Sequence, residues 1–217
     1  MEIPRAIFGR LWHFQSSILQ LNGIGMIYLA SQSPRRQELL AQLGVRFETI
    51  DASVHEQRQL GESPEQYVNR VAREKAGAGL FQLGGHSQAI VLGADTDVVI
   101  DGQVLGKPAD AAQAAALLRQ LSGRTHQVHT AVWLVSAGRE QSALVSTEVR
   151  FSALRETEIA DYIATGEPFG KAGAYAVQGR AAAFIAGITG SYSGVMGLPL
   201  HETAVLLRNF GVPLWSV

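Results

Sequence analysis

The sequence predicts an α/β protein, on three observations. The stretch Ile27-Tyr28-Leu29-Ala30 is a short apolar run, and after Ser33-Pro34 the period changes, with Leu39, Leu40 and Leu43 recurring at helical spacing. It reads as strand, tight loop, helix. Ala89 to Ala94 is a nearly continuous apolar run ending at Asp95, the pattern of a strand covered on both faces. Val128–Val135 and Leu144–Phe151 are β-rich and partly alternating, with Gly138 between them, which predicts a hairpin.

The remaining elements follow in order. Ser33 is placed to cap the first helix with its hydroxyl, and Pro34 suits the first helical position. Phe47-Glu48-Thr49-Ile50 reads as a short strand, and Asp51 to Gly61 as a polar loop carrying Glu56. Ser63-Pro64-Glu65-Gln66 is a capping box. It opens a helix with Tyr67, Val68, Val71, Ala72 and Ala76 as its buried stripe and Arg70, Arg73, Glu74 and Lys75 mostly on other sides. Gly84-Gly85 marks a loop. After Asp95, Val98–Ile100 continues as strand, Asp101-Gly102 turns, and Gln103–Leu105 returns. Asp110 and Gln113 cap a helix with the stripe Ala114, Leu117, Leu118 and Leu121. Ser122 to His126 is a turn, and Ile159, Tyr162 and Ile163 mark a helix ending at Gly166. A glycine-rich segment spans Gly170–Gly179, Ala183–Ile188 is a strand, Gly190–Gly194 turns the chain, and a last helix carries Ala204, Leu206, Leu207 and Phe210 up to Gly211.

The chain has 217 residues, enough for one large domain or two small lobes, and a formal net charge of -1. That balance argues against a surface built to coat nucleic acid or anionic membrane. There is no cysteine, which excludes disulfides and thiolate metal sites and leaves the redox compartment open. No stretch of about twenty apolar residues is present, so no membrane span is expected. Residues 1–25 read as an N-terminal extension outside the core, with Met26 as the functional start and 26–217 as the organised domain. Their apolar residues are too scattered for a secretory signal.

Charge gathers at loops and strand ends: Arg35 and Arg36 beside the first helix N-terminus, Asp95, Lys107, and further off Glu56 and Lys75. A helix N-terminus with two arginines suits a polyphosphate; it reads equally as a capped helix with two solvated arginines. Basic groups with a strand-end carboxylate fit a phosphate chain and a divalent cation bridging carboxylate and phosphate oxygens. Other motifs fail. Gly102–Pro108 is one residue short of a P-loop and has Pro108 where Ser or Thr would stand. No G-x-G-x-x-G follows a strand. His126 and His129, three apart on a strand, face opposite ways and are expected to be half-buried or solvated.

The segments Leu29–Leu40, Arg73–Ala76, Leu92–Thr96, Gly106–Pro108, Ser122–His126, Lys171–Gly179 and Gly197–Leu200, in that order, resemble the Maf proteins, nucleoside triphosphate pyrophosphatases also described as septum-formation inhibitors. The resemblance runs from about Met26 to about Phe210. It implies a two-lobed mixed α/β fold of the Maf/ITPase-like kind with a central cleft, a homodimer, a divalent cation (Mg2+ or Mn2+), a cytoplasmic location, and hydrolysis of a nucleoside triphosphate to the monophosphate and pyrophosphate. Asp95 looks like the family's proton acceptor, and Asp95 with Glu56 would face the metal. Arg35, Thr96 and Gln178 look like the positions that set base preference. Ser31, Arg36, Lys75 and Lys107 look like further substrate-binding positions. Ser-Pro-Arg-Arg paired with Gly-Ala-Asp-Thr and a Gln-Gly is similar to the dTTP/UTP branch.

One departure touches the site. Asp97 stands where the family has an apolar strand residue, on the same strand face as Asp95. It would add metal affinity or repel Asp95, or face solvent at a strand bend, and the last is the expectation here. The rival readings are a 7-methyl-GTP or modified-nucleotide pyrophosphatase and a nucleotide-binding regulator of division without turnover.

Overall fold

A computed structural model describes residues 25–84 and 88–215. Its frame is β3 (Ile90–Ile100), the near-continuous apolar run of the sequence, buried along almost its whole length. Ahead of it come β1 (Ile27–Leu29), α1 (Pro34–Gln42), β2 (Phe47–Thr49) and α2 (Pro64–Gln82); after it come β4 (Gln103–Leu105), α3 (Ala111–Leu121), β5 (Thr125–Ser136), β6 (Arg139–Phe151), α4 (Glu156–Ala164), β7 (Ile185–Thr189), α5 (Tyr192–Met196) and α6 (Leu200–Asn209). Two 3-10 turns, Ala172–Ala174 and Arg180–Phe184, interrupt the segment before β7.

Among the described residues the strands join one seven-stranded sheet in the order β2-β1-β3-β5-β6-β7, with β4 on β3. β1 is parallel to both β2 and β3, and the other pairings are antiparallel. β5 runs along one edge of β3 from Val91 to Val99. The other edge is shared: β1 pairs with Ile90–Leu92 and β4 with Val98–Ile100. Between them, residues 93–97 of β3 face no strand on that side among the described residues, and the sheet opens there.

The core divides at the same place. One cluster joins Leu29, Leu39 and Leu40 to Leu92, Leu134, Leu198 and Leu207. The other joins Val98 and Ile100 to Leu118, Val149, Phe151 and Tyr162. β3 and β5 contribute to both, so the two lobes share a sheet and part at the opening.

α2 is pressed onto the open stretch by Gly93. A Cβ at that position would lie 2.4 Å from the Ala72 carbonyl oxygen and 2.6 Å from the Ala76 nitrogen, closer than any real side chain allows. With no side chain at Gly93, the helix backbone rests on the strand and the α2 side chains reach β3 directly. The capping box at Ser63 and Gln66 forms as expected, with both reciprocal bonds. Asp110 likewise accepts from the Gln113 N–H.

Several local expectations need correction. Ser33 sits at the N-cap of α1 but makes no side-chain cap bond; its own N–H donates to Ser31 Oγ instead, at 3.2 Å. Asp95 is not at a strand end. It lies in the middle of the 11-residue β3, although it does lie beyond the carboxyl end of β1. The turn expected at Gly190–Gly194 is the cap and first turn of α5, with Ser191 accepting from the Gly194 N–H. The strand expected from Ala183 starts at Ile185. His126 and His129 are buried, at 2% and 1% exposure. His126 Nε2 is bonded to the Tyr175 hydroxyl at 2.8 Å, and burial pushes its pKa down to about 4, so the ring is a neutral core group. Residues 1–24 of the expected extension, and Gly85 of the expected loop, lie outside the described residues.

Candidate active site

The opening in the sheet is the floor of a cleft of about 830 Å³. Every site residue expected from the sequence lines it: Ser31, Arg35, Arg36, Glu56, Lys75, Asp95, Thr96, Lys107 and Gln178. They arrive from different elements. The β1–α1 loop and the first turn of α1 bring Ser31, Arg35 and Arg36. The polar loop after β2 brings Glu56, α2 brings Lys75, β3 brings Asp95 and Thr96, and the loops after β4 and before β7 bring Lys107 and Gln178.

Along one wall the charges alternate in a chain. Lys75 Nζ donates to Asp95 Oδ1 at 2.8 Å and pairs with Glu56 Oε1 at 2.6 Å. Glu56 Oε2 is 3.6 Å from Lys107 Nζ. Side-chain exposure grades from 11% at Asp95 and Lys75 to 41% at Glu56 and 62% at Lys107, so the chain runs from the floor to the mouth. Burial raises the Glu56 carboxyl, but its bond to Lys75 and the charges of Lys107 and Arg36 outweigh that and hold it below the usual carboxylate range. Glu56 is therefore ionised at neutral pH, the charge that ties this wall of the cleft together.

The opposite face of β3 carries a different structure. Thr96 alternates away from Asp95 and meets Arg36, whose Nη2 donates to Thr96 Oγ1 at 3.2 Å. Arg36 also donates from Nε to the Gly197 carbonyl at 2.9 Å and from Nη1 to Ser31 Oγ at 3.3 Å. Thr130 Oγ1, across the β3–β5 register from Thr96, is bonded to Thr96 Oγ1 at 3.0 Å and to the Gly194 carbonyl at 2.8 Å. Arg36 thus ties α1 to β3 and to the turn after α5. Ser33 leaves the first-turn amides of α1 uncapped, and Arg35 stands half-buried beside them; uncapped amides at a positive dipole end favour an anion.

The sequence reading assigns no site role to Tyr67 or Lys171, yet both line the cleft, as does Asp97. Tyr67 was available in the pattern: Tyr67, Val71 and Lys75 are successive i, i+4 positions, one stripe of α2. Lys75 belongs to that buried stripe at 9% exposure, and not to the outer sides where the charge pattern puts it. Tyr67 has its hydroxyl pushed up to about 12, by burial and then by the charges of Asp97 and Asp95. Lys171 donates to the Glu167 and Phe169 carbonyls at 2.7 and 3.3 Å, and burial and the Arg35 charge lower its pKa.

Asp97 overturns the expectation of a solvent-facing residue. It is 8% exposed, and its Oδ2 has no hydrogen-bond partner among the described residues. Burial first, then the charges of Asp95 and Glu56, push its pKa up to about 7 from 3.8. The folded protein therefore holds a proton that the unfolded chain has released, and keeping Asp97 ionised costs stability that grows from about pH 4 to about pH 7. Asp97→Asn is expected to stabilise the protein by roughly 2 kcal/mol at pH 8, part of the ceiling of about 4 that such a shift allows. The gain should vanish near pH 4. Calorimetric melting at both pH values checks it; a gain equal at the two, or a loss at pH 8, contradicts it.

Comparison with known proteins decides the family. Residues 26–210 match the family described as Maf-like protein. The chain belongs to the Maf-like proteins. The dTTP/UTP pyrophosphatase of Xanthomonas axonopodis pv. citri is 59% identical over 188 residues, covering 86% of this chain and 99% of the relative. That of Aromatoleum aromaticum is 55% identical over 199 residues, covering 87% and 97%. The nucleoside triphosphate pyrophosphatase of Xylella fastidiosa strain M23 is 54% identical, covering 85% and 98%. The solved structure of the Staphylococcus aureus Ham1 protein aligns at 13% identity with a TM-score of 0.47, over 85% of this chain and 97% of that one. Within this Maf-like fold the mixed α/β sheet, the two lobes and the central cleft are as the resemblance implied. No described helix is long and apolar enough to cross a membrane.

Proposed function

We propose that this chain hydrolyses dTTP and UTP to the nucleoside monophosphate and pyrophosphate, cleaving between the α- and β-phosphates. The observation that carries the reading is the buried Lys75–Asp95 contact of 2.8 Å at the floor of a cleft whose walls bring Arg35, Arg36 and Lys107 to the same space. The names of the relatives support the substrate choice.

Each residue then has a task. Arg35 and the uncapped α1 amides hold phosphate oxygens, while Arg36, with donors committed to Ser31, Thr96 and Gly197, keeps that wall in place. Lys107, at the mouth, and Lys75 offset charge on the departing pyrophosphate. Asp95 accepts a proton from the attacking water, with Lys75 orienting its carboxylate. Gln178, exposed at the wall, can donate and accept as a pyrimidine edge requires. Thr96, which faces away from Asp95, influences base preference through Arg36.

Asp95 and Glu56 are hard oxygen donors that suit Mg2+ or Mn2+, and Asp97, with its orphaned Oδ2, lines the same cleft. Among the described residues no three His, Asp or Glu form a ready cage, and Mg2+ needs none, since it is held by one or two carboxylates plus substrate phosphates. A bound divalent cation would neutralise phosphate charge. We place the enzyme in the cytoplasm, as a homodimer.

A panel of dTTP, UTP, dCTP, dATP, GTP and 7-methyl-GTP, assayed with Mg2+ or Mn2+ for phosphate and pyrophosphate separately, tests the proposal. The expected result is pyrophosphate from dTTP and UTP above all others. Release of inorganic phosphate alone, or survival of both pyrimidine nucleotides, contradicts it.

A further inference from the structure

Gln178 is exposed and stands on an irregular segment between the two 3-10 turns. An amide there can discriminate between bases only if the backbone beneath it is held, because a site on a loop is no more exact than its support. The structure supplies that support from Glu167. Its Oε2 accepts from the Arg180 N–H at 3.0 Å and its Oε1 from the Ala181 N–H at 3.3 Å. Oε1 also accepts from the Tyr162 hydroxyl at 2.9 Å. Tyr162 is itself fixed, 4% exposed on α4 and edge-on to Phe184 at 5.3 Å.

The carboxylate fits only because residue 179 is glycine. A Cβ on Gly179 would lie 2.3 Å from Glu167 Oε1 and 2.6 Å from Oε2. The φ of Gly179 is -100°, which any residue can adopt, so the glycine is required by this close approach and not by its backbone angles. The backbone of Glu167 is held in turn: its carbonyl accepts from Lys171 Nζ at 2.7 Å. Burial raises the Glu167 carboxyl, but the two amides and the tyrosine hydroxyl hold it below the usual range. The clamp is thus an anion at neutral pH, and its bonds are charge-assisted.

We propose that Glu167 is the positioning residue for base selection: it clamps the Gly179–Ala181 backbone and so sets where the Gln178 amide points. This rests on the pyrimidine-triphosphate reading above and names what makes Gln178 selective. Glu167 itself does not line the cleft.

The test compares kcat and KM for dTTP and dCTP in the wild type, Glu167→Ala, Gln178→Ala and the double variant. Glu167→Ala should raise the KM for dTTP about tenfold, the scale of one misplaced hydrogen bond, leave kcat near wild type, and leave dCTP unchanged. The double variant should lose no more selectivity than Gln178→Ala alone, since the two act on one contact. Equal losses for both nucleotides, or additive losses in the double variant, overturn the proposal. Gly179→Ala, which keeps every polar group and only displaces the carboxylate, gives the same readout if Glu167→Ala does not fold; unchanged selectivity there also overturns it. Wild-type turnover tests the parent reading separately. Titration with α,β-imido-dUTP and α,β-imido-dCTP reads the positioning claim without turnover: Gly179→Ala should erase any preference for the uracil analogue, and a retained preference counts against the clamp.

Discussion

Asp95→Asn is expected to lower kcat for dTTP by about 10²- to 10⁴-fold, the range for removing a positioned general base, with the fold intact. The fold should survive because Lys75 keeps a carboxylate partner: Glu56 remains 2.6 Å from its Nζ. The asparagine is nearly the same size, so α2 still seats on Gly93. KM should change far less than kcat, since Arg35, Arg36 and Lys107 still line the cleft. Steady-state kinetics with circular dichroism at matched pH would check this. Turnover within a few-fold of wild type would remove Asp95 from the reaction.

Lys75→Met should do more damage, and to two properties at once. It leaves Asp95, 8% exposed, without the cation that neutralises it. Breaking a buried ion pair from one side costs about 3–5 kcal/mol, because the remaining charge stays buried and uncompensated. Glu56 suffers less, since it is nearer the surface and retains Lys107 at 3.6 Å. Guanidinium unfolding at pH 8 should show that loss together with loss of turnover. Lys107→Met is the control. At 62% side-chain exposure its loss should cost less than about 1 kcal/mol of stability while weakening substrate binding. Equal stabilities for the two methionine variants would contradict the buried charge chain.

The parts of the fold legible in the sequence are those set by local patterns. The capping box at Ser63, the Asp110 cap, the change of period after Ser33-Pro34, and the apolar run of β3 each depend on neighbours within a few residues, and each was legible. The site residues were legible as types at loop and strand positions, and the structure gathers them at one cleft. What could not be read depends on contacts between distant segments. Asp97 shares a strand face with Asp95, which the sequence shows, but its burial comes from α2 pressed down at Gly93, a contact with Ala72 and Ala76. The opening in the sheet arises because β1 pairs with β3 only as far as Leu92 and β4 pairs with it only from Val98, along the same edge; no local signal marks where a neighbouring strand ends. Ser33 has the residue type of a cap, and a bond from its own N–H to Ser31 takes its place. His126 is polar by type, and its burial follows from packing against Phe151 and Tyr175.

The central claim is that water attacks the α-phosphorus of a pyrimidine nucleoside triphosphate held in this cleft. Hydrolysis of dTTP in H2(18)O, with mass analysis of both products, tests it most directly. The account predicts one labelled oxygen in dTMP and unlabelled pyrophosphate. Label in the pyrophosphate, or dTDP with labelled phosphate, would contradict it.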